Sequence, residues 1–252
     1  MAFEIENGVL KNYTEEEGVT NVVVPDDVIE IGRSAFEGCD VTSVTLPNGL
    51  KSIGDYAFEM CMRLKRINLP DSITKIGGAA FQYCFALKEI KLPKNITSIK
   101  SETFLHCGSL AAIDIPNSVI SIGDNAFADC CSLKSINIPD SVKKIEQGAF
   151  ADCHSLKSIN IPDSVISIGE GAFCRCYSLE SINLSKNITS IKTETFYECI
   201  NLSSITIPKN VTSIHTHAFV RCMALDSIKI CGDNVEIAEY AFKGCPGDID
   251  FV

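Results

Sequence analysis

Basic residues are scarce in this chain. Twenty-two Lys and Arg stand against 32 Asp and Glu, for a net charge of −10 and a pI near 4.9. A nucleic-acid binder needs a basic face to meet phosphates, so no nucleic-acid partner is expected, and anionic membrane surfaces are disfavoured too. No apolar run is long enough to span a bilayer, so a soluble chain without membrane insertion is expected. The start, Met1-Ala2-Phe3-Glu4-Ile5-Glu6-Asn7-Gly8, has neither the basic region nor the apolar stretch of a secretory leader. The chain is cytoplasmic if Met1 is the native start, and at the cell surface or secreted if an export signal was removed. Catalytic signatures are missing as well: no G-x-S-x-G, no H-E-x-x-H and no Walker loop. Serines fall on repeat positions and carboxylates are scattered, so neither an enzyme nor a cofactor is expected. The four histidines form no ligand set. His106 and His154 sit in variable loops, and His215 and His217 lack a nearby thiolate or carboxylate partner.

What the chain does have is repetition. Ten phenylalanines recur: Phe36, Phe58, Phe81, Phe104, Phe127, Phe150, Phe173, Phe196, Phe219 and Phe242, 23 residues apart after a first interval of 22. A cysteine follows each of them three residues later, from Cys39 to Cys245. Between these landmarks each fixed position has a physical role. In the coil that starts at Cys130, Leu133, Ile136 and Ile138 spell L-x-x-I-x-I. Its last three residues alternate with period two, as a short strand does with apolar side chains turned inward. Pro139 ends that strand because it has no N–H for a ladder. Val142 and Ile145 supply a second inward segment, and Ala149-Phe150 begins a tight helical turn whose ring plugs the interior. Twenty-three residues cannot bury such a set alone, but stacked coils share one core. The pattern therefore predicts a repeat solenoid of about ten coils, mainly parallel β with short helical turns. The L-x-x-I-x-I strands are expected to form the main sheet and the V-x-x-I segments a lesser one.

This pattern resembles the BspA-like, or Treponema-type, leucine-rich repeat family. Ile53-Gly54-Asp55-Tyr56-Ala57-Phe58 and Ile122-Gly123-Asp124-Asn125-Ala126-Phe127 carry its I-G-x-x-A-F core, and the match extends over residues 20–245. Departures are local: Ser185 and Cys231 replace the proline, and Asn234 replaces the Val or Ile before Ile237. The resemblance implies a non-catalytic protein-binding module used for surface adhesion or host and cell recognition. The alternative is an intracellular protein–protein interaction scaffold. Residues 1–14 differ from the repeat. Asn7-Gly8 between alternating segments is a hairpin signal that sets Ile5 opposite Leu10, so residues 1–14 are read as an N-terminal capping β-hairpin and 15–252 as the solenoid.

Thirteen cysteines raise the question of disulfides or metal. Ladder cysteines on neighbouring coils lie about 4.8 Å apart with parallel Cβ vectors, whereas a disulfide needs its Cβ atoms about 3.8 Å apart. Buried free thiols that fill the interior as apolar groups are expected, and they suit a reducing compartment. Cys174-Arg175-Cys176 has no second pair at zinc spacing. Five N-x-S/T sequons, at Asn12, Asn95, Asn187, Asn201 and Asn210, fall largely out of the repeat consensus. Specificity in a solenoid belongs to its variable positions. Met60, Met62, Tyr83, Phe85, Leu105 and His106, from three successive coils, form the candidate partner-binding cluster, since aromatics and Met are enriched in interface cores. Similar side chains recur at Tyr177, Tyr197, Ile200, Val220 and Met223. The partner is expected to be a protein, with self-association possible.

Overall fold

The computed structural model describes residues 2–252. The chain winds into a β-solenoid of about 11 turns of roughly 23 residues. The V-x-x-I segments form ten parallel two-residue strands, from Glu30–Ile31 to Glu236–Ile237. The L-x-x-I-x-I segments form eight longer strands, from Asn21–Val23 to Asp248–Phe251, but none between Asn68 and Ser158, where only an isolated Asp114–Asn137 bridge remains. The expected ranking of the two sheets is thus reversed in continuity: the V-x-x-I strand occurs in every coil and its partner does not. The inward pattern survives there all the same, with Ile90, Ile113 and Ile136 buried.

At the N-terminal end, β1 (Phe3–Glu6) pairs antiparallel with β2 (Val9–Tyr13), with Ile5 opposite Leu10. Asn7 and Gly8 both adopt positive φ, as a two-residue hairpin turn demands. β2 then pairs in parallel with the Glu30–Ile31 strand, so the hairpin lies in the same sheet as the coils. Tyr13 stands 23 residues before Phe36 and takes the place of a ladder phenylalanine. Its N–H donates to the Ala35 carbonyl, and its ring stacks on Phe36 at 5.0 Å.

No helix forms among the described residues, which corrects the expected helical turns. The corner around each phenylalanine is instead a run of turns bracketed by two left-handed residues. All twenty positions two before and two after the ladder phenylalanines have positive φ: sixteen non-glycine residues, from Asn125 at 50° to Tyr240 at 62°, and four glycines. The cause is a second hydrogen-bond ladder. A helix sends its N–H groups back along its own turn. Here the N–H groups of Phe58 and Met60 donate to Ala80 and Gln82 of the next coil, while Glu59 and Cys61 bond back to Tyr56 and Phe58. The left-handed residues turn alternate N–H groups outward, and each costs about 1–2 kcal/mol for an L residue. None of the twenty is β-branched.

The inner side of this corner is continuous. Successive phenylalanine rings stack nearly parallel from Phe36 to Phe242, with centroids 5.6 Å apart at Phe81–Phe104 and 4.8 Å at Phe219–Phe242. Cys39 uses the Tyr13 carbonyl, and from Cys61 to Cys245 each ladder thiol donates to the phenylalanine carbonyl of the preceding coil, as Cys153 Sγ does to Phe127 O at 3.2 Å. That carbonyl also accepts from the N–H of its own coil's Cys130. The cysteines are therefore specific donors rather than only apolar filler.

Candidate protein-contact surface

The ladder corner fixes one row of outward side chains. Residues two positions after each phenylalanine run Met60, Tyr83, His106, Asp129, Asp152, Arg175, Glu198, Arg221, all on left-handed backbone. Neighbours in this row touch. The Tyr83 and His106 rings stack at 4.6 Å and 12°. His106 Nδ1 lies 3.5 Å from Asp129, Arg175 lies 3.7 Å from Asp152 and 3.6 Å from Glu198, and Arg221 bonds Glu198 at 2.7 Å. Burial raises the Asp129 carboxyl above its ordinary value, His106 opposes that shift, and Asp152 adds to it.

A parallel row lies four residues after each phenylalanine and holds Met62, Phe85, Tyr177, Ile200 and Met223. The structure brings three of the six selected residues into one group. Tyr83, Phe85 and His106 form one aromatic group, with Phe85 at 5.8 Å from Tyr83 and 6.4 Å from His106. Met60, Met62 and Phe85 are exposed, while Tyr83, Leu105 and His106 are half-buried. Acidic residues border the cluster. Burial, then Glu37, then Glu102 hold the Glu59 carboxyl above its usual range. None of these three glutamates forms an ion pair among the described residues.

The second cluster has a different border. Tyr177 stacks on His154 at 4.7 Å, and Val220 is buried. A groove of about 620 Å³ is lined by Arg175, Tyr197, Val220, Arg221, Met223 and Lys243, among others. The charge row through Asp152, Arg175, Glu198 and Arg221 escaped the sequence reading. Laying the chain out in 23-residue lines would reveal it. The left-handed backbone also left a legible trace, the absence of Val, Ile and Thr from those columns.

Elsewhere, all thirteen cysteines are free, nine of them buried in the ladder. Burial holds these thiols well above the ordinary value, Cys39 at about 11. The off-ladder Cys174 is also pushed up to about 11, mainly by burial. His217 packs near Tyr240 at 6.2 Å, and His215 sits beside Ser213. Four sequon asparagines use their side-chain amides structurally. Asn95, Asn187, Asn201 and Asn210 donate Nδ2 to a main-chain carbonyl of the preceding coil. The outward polar strand row, including Asn160, Asn183 and Thr206, lines a groove of about 1030 Å³.

The family model described as the BspA type leucine rich repeat region matches in six copies over residues 9–134 and 120–247. A leucine rich repeat protein of T. pallidum is 35% identical over 68% of this chain and 82% of its own, with a TM-score of 0.63. A leucine rich cell surface protein from Faecalibacterium prausnitzii A2-165 is 27% identical, covering 96% of this chain and 90% of its own, with a TM-score of 0.53. A leucine-rich repeat protein from Bacteroides ovatus ATCC 8483 is 25% identical over 99% and 97%, with a TM-score of 0.61. No curated protein matches the sequence. With both the coil chemistry and the family model covering the solenoid, this chain belongs to the BspA-type leucine-rich repeat family.

Proposed function

We propose that the chain is a non-catalytic protein-binding module acting in surface adhesion or cell recognition, and that its contact surface is the cluster of Met60, Met62, Tyr83, Phe85, Leu105 and His106. One observation carries this reading. On a framework whose inward positions are fixed, three successive coils place exposed Met and Phe beside stacked Tyr83 and His106, where the Phe127 and Phe150 coils place Ala128, Asp129, Ala151 and Asp152. Exposed apolar patches of this kind mark contact surfaces, and aromatics dominate their binding energy. The likeness to a protein named as a leucine rich cell surface protein supports the surface setting. Replacing Tyr83 and Phe85 together with serine tests the site. Both lie outside the buried ladder, so the double variant is expected to melt near the parent and to lose capture of a protein that the parent retains. A variant that melts like a core mutant, or that captures undiminished, overturns the assignment.

A second reading, an intracellular interaction scaffold, is favoured by one observation, the thirteen unpaired thiols, which suit a reducing compartment. Protease treatment of intact source cells separates the two: a surface protein is cleaved and an internal scaffold is spared.

A further inference from the structure

The corner face carries two apolar clusters, not one; three glutamates without an ion pair among the described residues border the first, and Arg175, Arg221 and Lys243 stand at the second. Resting on the reading of this face as a contact surface, we infer that the occupant of the first cluster is the second cluster of another copy of this chain, in an antiparallel two-fold dimer.

The geometry follows from the repeat. The clusters centre on the Phe81 and Phe196 coils, five coils apart, or on the order of 25 Å at strand spacing. A two-fold axis between the Phe127 and Phe150 coils reverses the solenoid axis and keeps each row against its own counterpart. In the row four residues after each phenylalanine, this sets Met62 against Met223 and Phe85 against Ile200 of the second copy. It also sets Gly108, which has open space where a side chain would stand, against Tyr177. Large apolar groups meet each other, and the Tyr177 ring meets a glycine. Met62 and Met223 are 51% and 63% exposed, so both have surface to bury.

The charges follow the same operation. Glu37 comes opposite Lys243, and Glu59 lies beside Arg221. At the first cluster Glu37, Glu59 and Glu102 form no ion pair among the described residues, while Arg63 is taken by Asp40; the groove at the second is lined by Arg175, Arg221 and Lys243 together with Glu194. Arg175 and Arg221 share Glu198 within the chain yet remain 48% and 64% exposed at the side chain. In the row two residues after each phenylalanine, Tyr83 comes opposite Glu198, whose carboxylate can accept from its hydroxyl, His106 comes opposite Arg175, and Asp129 meets Asp152 on the axis. Each of these carboxylates is already held by a cationic or imidazole neighbour: Asp129 by His106, Asp152 by His154 and Arg175. An isologous interface needs one surface that is complementary to itself under rotation, and the row four residues after each phenylalanine supplies the apolar part of it. Ten coils at about 5 Å and a width of four extended residues give roughly 700 Å² per copy, close to the ~800 Å² of a standard specific interface.

Two charge-reversed proteins test the arrangement: one carries Glu37→Lys and Glu59→Lys, the other Arg221→Glu and Lys243→Glu. All four positions lie outside the buried core, and circular dichroism verifies the fold of each variant. Sedimentation is expected to show the parent as a dimer at tens of micromolar, and each variant alone weakened about tenfold or more. An equimolar mixture of the two variants is expected to restore the dimer, because each copy then meets the opposite charge at both ends. A parent that stays monomeric, variants that dimerise as the parent does, or a mixture that remains monomeric each overturn the inference. A monomeric parent that still loses a foreign partner on the Tyr83 and Phe85 substitutions leaves the contact-surface reading standing and removes only the self-pairing.

Discussion

Two kinds of coil in this solenoid are joined to their neighbours differently. In the coils of Phe36, Phe58, Phe81, Phe127 and Phe173, a glycine follows the V-x-x-I strand and an alanine precedes the phenylalanine. Those glycines lie against the backbone of the preceding coil; a Cβ on Gly123 would fall 2.6 Å from Ser101 N, and one on Gly54 2.7 Å from Arg33 N. In the coils of Phe104 and Phe196, lysine and threonine replace both residues, as Lys100 with Thr103 and Lys192 with Thr195. The V-x-x-I sheet breaks at these two coils, between the strands ending at Ile76 and Ile99 and between those ending at Ile168 and Ile191. Glu146, His215 and Ala238 also replace the glycine but keep the alanine, and their N–H groups still bond to Ile122, Ile191 and Ile214 of the preceding coil. Only the coils with both replacements lose the strand pairing. What these two coils add to the Cβ is the threonine: the buried Thr103 and Thr195 hydroxyls donate to the Lys100 and Lys192 carbonyls at 2.8 Å.

The same two coils stay attached elsewhere. Phe81 and Phe173 still donate across to Thr103 and Thr195 at the corner. Lys94 and Lys186 pair with Asp71 and Asp163 at 3.4 Å on the turn before the strand. The sheet ladder is thus dispensable coil by coil, whereas the phenylalanine–cysteine corner is kept in every coil. The gap at Lys100 opens a groove of about 410 Å³ lined by Thr74, Thr97 and Ser98.

The largest expected effect strikes the shared corner in both kinds of coil. The buried thiols have folded-state values raised above the ordinary 9.0. Between that value and the folded one, the unfolded chain has lost a proton that the folded chain still binds, so stability is full below pH 9 and falls as pH rises. Each buried thiol contributes up to about 1.4 kcal/mol per pH unit above 9. Cys39 completes its change near pH 11. Denaturant melts at pH 8, 9 and 10 are expected to show a steep alkaline decline; a flat profile means that the corner thiols do not hold their protons as described.

The next effect separates the coil types. Gly123→Val forces a side chain onto the Ser101 backbone and is expected to destabilise by about 1–3 kcal/mol, as overpacking does. Glu146→Val, at the equivalent position of a coil that already accommodates a Cβ, is expected to change stability by less than about 1 kcal/mol. Equal losses in chemical denaturation would break the proposed link between glycine and close coil approach.

The smallest effect is a gain. Lys100→Gly with Thr103→Ala is expected to re-form the missing ladder bonds to Ile76 and stabilise the protein by about 1 kcal/mol. Native-state hydrogen exchange reads it directly: the residue-100 amide should slow toward that of Gly123. If it stays fast, another feature of the Phe104 coil opens the sheet.

The repeat length, the inward positions, the hairpin register and the unpaired cysteines were legible in the sequence because each follows from local periodicity or spacing. Phe150 and Cys153 announce their burial by recurrence alone, and Asn7-Gly8 sets its turn by local φ preference. The candidate cluster was legible only as composition: six variable side chains on neighbouring coils. Tertiary structure decided the rest. Whether the corner is a helix depends on where alternate N–H groups find acceptors, and Met60 finds Gln82 in the next coil. The role of the thiols depends on the carbonyl of a residue 26 positions earlier, as Cys153 reaches Phe127. The stacking of Tyr83 on His106, and the sharing of Glu198 by Arg175 and Arg221, exist only once 23 residues of chain have closed a turn and brought one coil against the next. A sequence states which side chains recur. The close approach of coils, set by whether a glycine and an alanine or a lysine and a threonine stand at the contact, decides which of them touch.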